Sequence, residues 1–181
     1  KDLRTESETP LSDLRDKKLF TVEADDIVNI TLKAPSGETL VLSGERSEEP
    51  ATEPAKASKA KVSWTLSTPN GYALDESVTS FVRNITNART KAFIPEAQGP
   101  KEGLGDAFWH LSGTDHQGEA FGLRFANEGD PAWAQVDGRK EWVQLDTYTL
   151  KNLQKTLADL REKTLWSLPA ADKIGRAHVL T

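Results

Sequence analysis

The sequence predicts an α+β domain: antiparallel hairpins and a meander, with two amphipathic helices packed on the sheet. Three observations carry that reading. Short stretches alternate apolar and polar residues with period two between Gly, Pro and Asp turns, and two other stretches space their apolar residues as a helix does. The length of 181 residues suffices for one domain, or one and a fraction, whose core needs neither metal nor disulfide.

The elements follow in order. Val28, Ile30 and Leu32 share one face of a strand over 26–32, and Pro35-Ser36-Gly37 turns the chain into a second strand over 39–42. Residues 45–60 are rich in Pro, Ala, Glu and Lys without apolar period, which predicts an exposed, mobile hairpin loop. Val62, Trp64 and Leu66 mark a third strand, closed by the turn chemistry of Pro69-Asn70-Gly71. Asp75 is the expected N-cap of a helix whose Val78, Phe81, Val82, Ile85 and Ala88 form a single apolar stripe. After a linker from Pro95 to Gly105, residues 107–145 read as a four-stranded meander. Its strands are Phe108 to Leu111, then Phe121 to Phe125, then Ala132 to Val136, then Trp142 to Leu145, and Asp137-Gly138 is the strongest turn signal among them. Asp146 then caps a second helix with Leu150, Leu153, Leu157 and Leu160 along its seam.

The end of the chain repeats its beginning. Asp13-Leu14-Arg15-Asp16-Lys17-Lys18-Leu19-Phe20 returns as Asp159-Leu160-Arg161-Glu162-Lys163-Thr164-Leu165-Trp166, and the match extends to Ala24/Ala170 and Asp26/Asp172. Solenoid repeats are far shorter than this spacing, so the repeating object is a whole domain. The expected organisation is the end of a preceding element over 1–12, one complete unit over 13–158, and the start of a second, truncated unit over 159–173. The tail 174–181 is expected to be non-native, because Ile174-Gly175-Arg176-Ala177-His178-Val179 resembles a translated sequencing adapter. Arg15, Lys17, Arg161 and Lys163 are expected to sit where cations favour the negative end of a helix, with an ion pair between units as the second reading.

Composition narrows the partners. The formal net charge is -5, from 23 Lys and Arg against 28 Asp and Glu, so no global basic field awaits a phosphate backbone or an anionic lipid surface. Nucleic acid is not expected as a partner. The absence of Cys removes disulfides, thiolate nucleophiles and Cys-ligated zinc together, while leaving the compartment open. No apolar run is long enough to span a bilayer, and Lys1-Asp2-Leu3-Arg4 is neither an initiator nor a signal segment, so the natural N-terminus is expected upstream.

The search for chemistry assigns no catalytic, cofactor-binding or metal residue. His110, Asp115, His116 and Glu119 come nearest to a metal set, but they spread over a strand, a turn and a strand, and zinc needs three or four convergent ligands. A half-buried strand histidine beside ordinary turn residues is the plainer reading. There is no nucleophile elbow, and the glycines of residues 99–105 lack phosphate-loop spacing. Asn29 and Asn84 begin glycosylation sequons inside predicted regular elements and are discounted. Trp109, Trp133 and Trp142 could stack on sugar rings if exposed together, but core packing and cross-strand pairing are the ordinary uses of tryptophan on a sheet.

The order of these motifs resembles the bacterial family called domain of unknown function 4340. The residues that carry the likeness are Asp13 to Lys17 with Leu19 and Phe20, Asp25-Asp26-Ile27, Trp64-Thr65-Leu66 with Pro69, Asp75, Gly103-Leu104 and Asp159-Leu160-Arg161, so the likeness is expected to reach about residue 173. One departure is Gly105-Asp106, where the family tends to place an acidic residue and then Pro. The resemblance implies an extracytoplasmic module of an envelope protein held to the inner membrane by an N-terminal anchor. It further implies tandem units and protein partners such as a gliding-motility-type ABC transport system, with no catalytic residues and no cofactor. The expected function is therefore a non-catalytic binding or scaffold module, and the alternative is a carbohydrate-binding or hydrolytic envelope domain that uses exposed Trp residues.

Overall fold

The computed structural model describes residues 15–48, 60–68, 72–73, 76–105 and 107–160. Among the described residues nine strands form one sheet: β1 (Ile27–Lys33), β2 (Thr39–Glu48), β3 (Ala60–Thr68), β4 (Tyr72–Ala73), β5 (Ala92–Ile94), β6 (Phe108–Asp115), β7 (Ala120–Ala126), β8 (Ala132–Val136) and β9 (Trp142–Leu145). Their spatial order is β4-β3-β2-β1-β6-β7-β8-β9-β5, and every pairing is antiparallel. The helices are α1 (Glu76–Thr86), α2 (Thr147–Leu153) and α3 (Leu157–Leu160). The fold is α+β, as the sequence patterns predict.

Register explains the core. Leu40, Leu32, Leu111, Leu123 and Val136 stand opposite one another in a row across β2, β1, β6, β7 and β8. A neighbouring row runs Leu66, Leu42, Ile30, Gly113 and Phe121. Gly113 is required there, because a Cβ on it would run into the Phe121 ring and the Asn29 carbonyl. These rows join Val78, Phe81, Val82, Ile85 and Ala88, together with Leu150, Leu153 and Leu160, in one buried cluster. Each leucine or phenylalanine buried in it contributes about 1.5–3 kcal/mol relative to exposure. The predicted stripe of α1 is buried as a unit; Asp75, its expected cap, lies outside the described residues, as do Pro69-Asn70-Gly71.

Helix α1 connects β4 at one edge of the sheet to β5 at the other, so a single crossover carries the chain over the whole sheet. The sequence reading missed β4 and β5. Two and three residues are too few to show a period, and pairing with β3 and β9 alone makes them strands.

Two expectations are corrected. The mobile loop predicted over 45–60 is strand at both of its ends: β2 continues to Glu48 and β3 begins at Ala60, with Glu45 opposite Ser63 and Glu48 opposite Ala60. Residues 49–59 lie outside the described residues. The pattern hid this ribbon because Glu45, Arg46 and Ser47 are not buried, so nothing selects apolar residues while the ladder still pairs the backbone. The second helix, predicted as one seam from Asp146 to Leu160, is instead broken at residues 154–156 into α2 and α3. Asp146 caps α2 as expected, accepting from the Thr149 N–H at 2.6 Å. The break arises from a second start signal. Asp159 accepts from both the N–H and the hydroxyl of Thr156, at 2.9 and 2.8 Å, which supplies the carboxylate half of a capping box across Thr156-Leu157-Ala158-Asp159. The seam survives in part, since Leu150, Leu153 and Leu160 are buried and Leu157 packs against the core.

Candidate functional site

The N-terminal segment 15–23 is a strap laid against the end of α1 and the sheet. Lys18 forms an isolated antiparallel bridge with Arg89, in which the Leu19 N–H donates to the Ala88 carbonyl at 3.0 Å and the Thr90 N–H to the Lys17 carbonyl at 2.9 Å. Leu19 and Phe20 are buried behind it, with the Phe20 ring edge-on to Phe121 at 5.2 Å. At its outer end the Arg15 guanidinium forks onto Glu141, with bonds of 2.7 and 2.5 Å, and lies 4.0 Å from the centre of the Phe93 ring. Hydrogen bonding from Arg15, helped by its charge, holds the Glu141 carboxyl below the usual carboxylate range, and the same bond raises the Arg15 pKa. Arg15 pairs within the unit with Glu141, the residue leading into β9; residues 1–14, where a preceding helix end would fall, lie outside the described residues.

Thr90 fastens the same corner. Its buried hydroxyl can donate to the Ala92 carbonyl at 2.6 Å or the Gln144 carbonyl at 3.0 Å, and it accepts from the Ala92 N–H at 3.2 Å and the Gln144 N–H at 3.3 Å.

Beside the strap opens a cleft of about 410 Å³. Leu19, Phe20 and Val22 form part of its wall, and Glu23, Asp26, Asp115, Glu119 and Asp137 give it an acidic rim with Arg139 as a cation. Most of these acids have structural partners. Asp26 meets Arg46 and His116, each at 3.4 Å. Asp115 accepts the N–H groups of Gln117 and Glu119, at 2.9 and 2.8 Å, and so closes the β6–β7 turn. Asp137 lies between His110 at 3.3 Å and Arg124 at 3.4 Å, over Gly122, where a Cβ would strike its carboxylate. Glu23 lies 3.9 Å from Lys18.

The nearest approach to a metal set is thereby divided. His110 turns to Asp137, His116 to Asp26 and Asp115 to its own turn, and among the described residues no three His, Cys, Asp or Glu side chains are placed to hold a metal ion. The tryptophans are also distributed. Trp64, Trp109 and Trp142 are buried, and Trp109 donates its indole N–H to Asn127 at 2.9 Å. Trp133 is half-buried and edge-on to Trp142, which lies against Gly99 so closely that a Cβ there would enter the indole. Trp166 lies outside the described residues.

The strand residues that alternate with the core rows line the other face of the sheet. Asn29, Thr31, Ser43, Ser63, Thr65 and Ser67 are exposed or half-buried there, as are Ser112 and Thr114 on β6. Ser43 and Ser67 share a hydrogen bond of 2.8 Å, and Asn29 donates to Thr114 at 3.3 Å. This face is rich in hydroxyl groups, and a shallow depression of about 320 Å³ lies between β1 and Asp137.

The sequence singled out Arg15 through its repetition but not its partner. Glu141, Phe93 and Thr90 carry no pattern of their own, and only the sheet order brings them to the strap.

A family model described as Domain of unknown function (DUF4340) matches residues 2–106, more than half of the chain. The chain belongs to that family. In DUF4340 terms the match spans the strap, β1–β5 and α1, and it stops before the meander that completes the sheet. No curated protein and no solved structure matches the chain. No helix among the described residues is long and apolar enough to cross a membrane.

Proposed function

We propose that this DUF4340 chain is a non-catalytic binding or scaffold module of a membrane-anchored bacterial envelope protein, extracytoplasmic and auxiliary to an ABC-type transport system. The supporting observation is the use of the cleft's ionisable groups: Asp26, Asp115 and Asp137 each hold a turn, a strand or a cation in place. A carboxylate acting as general acid or base must exchange its proton with a substrate, and the contacts of these three to turn N–H groups, Arg46 and Arg124 support a structural use instead. What the fold presents instead is a broad polar sheet face suited to a protein surface. The carbohydrate-binding alternative has less support, since Trp109 and Trp142 are buried and half-buried Trp133 packs edge-on against Trp142 rather than in a displayed platform.

The test is chemical cross-linking of the full-length protein in intact cells, followed by identification of what is joined to it. The expected result is membrane-associated protein labelled by a reagent that cannot enter the cytoplasm, with transporter subunits among its partners. Recovery of the protein unlabelled in the cytosol would overturn the reading.

A further inference from the structure

The repeated segment gains meaning once the first copy is seen in place. The identities between residues 15–26 and 161–172 are Arg15/Arg161, Lys17/Lys163, Leu19/Leu165, Ala24/Ala170 and Asp26/Asp172. Arg15 forks onto Glu141, Lys17 supplies the carbonyl that receives the Thr90 N–H, and Leu19 fills the core. Ala24 packs against that core and Asp26 pairs with Arg46 and His116. Phe20, whose ring is buried, is replaced by another aromatic, Trp166. Of the exposed positions, Glu23 becomes Pro169 and Asp25 becomes Ala171, while Asp16 and Thr21 become the similar Glu162 and Ser167. The second copy thus retains the arginine, leucine, alanine and aspartate whose side chains make contacts of the strap, while the bridge residue Lys18 becomes Thr164.

We propose that residues 161–172 are a second docking strap, complementary to the groove formed by Ala88–Thr90, Phe93, Phe121 and Glu141, and that they bind that groove on a unit of this kind in place of residues 15–26. The occupant is a segment of this chain, acting on another copy or on a neighbouring unit of the same fold. Arg161 meets Glu141 and Phe93, Leu165 enters the Leu19 site and Trp166 the Phe20 site. The larger indole has room, because the 410 Å³ cleft opens directly beside Phe20. Units joined in this way exchange straps, so a DUF4340 array is held together by the element that also completes each core.

The absence of Cys makes the test clean. The hydrogen bonds flanking Lys18 and Arg89 identify them as a non-hydrogen-bonded antiparallel pair, for which a Cα separation of about 4.5 Å suits a disulfide. Full-length chain carrying Lys18→Cys and Arg89→Cys should oxidise readily and serves as the positive control. The decisive chain carries Thr164→Cys with Arg89→Cys, since Thr164 is the counterpart of Lys18. It should form a disulfide between positions 89 and 164, within or between chains, at least tenfold above a chain with Lys173→Cys and Arg89→Cys. Adding Leu165→Asp should reduce the yield to that background, and adding Leu19→Asp, which loosens the resident strap, should raise it several-fold. A yield at background while the Lys18/Arg89 pair cross-links would overturn the proposal, as would a yield that Leu165→Asp leaves unchanged. If Leu19→Asp prevents folding, the Leu165→Asp comparison decides alone.

Discussion

The two edges of the sheet are held by different forces. At one edge β5 has three residues, and side chains secure it: Thr90 bridges it to β9, Arg15 clamps Glu141 across Phe93, and Trp142 seats against Gly99. Toward the other edge β2 and β3 run for ten and nine residues, and their outer halves pair through the backbone while Glu45, Ser47 and Ser63 are exposed. A backbone ladder tolerates almost any side chain, whereas a corner assembled from specific side chains tolerates few. Sequence change should therefore be costly at the β5 corner and nearly free along the ribbon.

The largest expected effect tests the strap. Leu19→Ala removes a fully buried side chain and should cost about 2–5 kcal/mol, read as a lower midpoint in urea unfolding. A cost below about 1 kcal/mol would mean that the strap is not part of the core. Thr90→Val comes next. It keeps the shape but removes the hydroxyl that bonds Ala92 and Gln144, while the Gln144 carbonyl keeps its bond from the Lys91 N–H, and should cost about 1–3 kcal/mol. Hydrogen exchange should show the loss concentrated at β5 and β9, since a loss spread evenly over the sheet would contradict the local role of Thr90.

Arg15→Ala should cost less, about 1 kcal/mol or under, because 46% of the Arg15 side chain is exposed and solvent screens the pair. Its signature is the pH dependence. Glu141 has a depressed folded pKa, so the unfolded chain takes up the proton first as acid is added. The stabilisation is complete above the ordinary carboxylate range and disappears as pH falls through the lower folded value. Removing Arg15 should flatten that part of the acid unfolding curve, and an unchanged acid limb would break the assignment. The smallest effect belongs to the ribbon: Glu45→Gln and Ser63→Thr should each stay within about 0.5 kcal/mol of the parent. A larger loss would show that the ribbon depends on its side chains after all.

The sequence carried most of the sheet. Ile30 to Leu32, Phe121 to Phe125 and Ala132 to Val136 could be read as strands, because one face of each is buried and burial enforces a period of two, while Trp142 to Leu145, buried at both Trp142 and Val143, was legible as a short apolar run after a turn. The stripe of α1 was legible for the same reason at a period of 3.6, and Asp146 announced its helix by capping chemistry ahead of the leucine seam. The repeated Arg15 and Leu19 marked a segment worth watching. The sequence also showed that His110, Asp115, His116 and Glu119 lacked the spacing of a metal site, although not what each would touch.

Tertiary structure decided what local pattern cannot hold. It set the sheet order that puts β5 beside β9, and with it the pairing of Arg15 with Glu141, residues 126 apart in the chain. It extended β2 and β3 beyond their apolar residues, because an unpaired ladder beside a formed one is more costly than pairing polar residues. It also broke the last helix where Thr156 and Asp159 offered a better start than continuation. Periodicity records which side of an element is buried, and that is a local property written into consecutive residues. Which elements become neighbours depends on the free energy of the whole packed sheet, to which each pair of distant residues contributes only after the chain has closed around it.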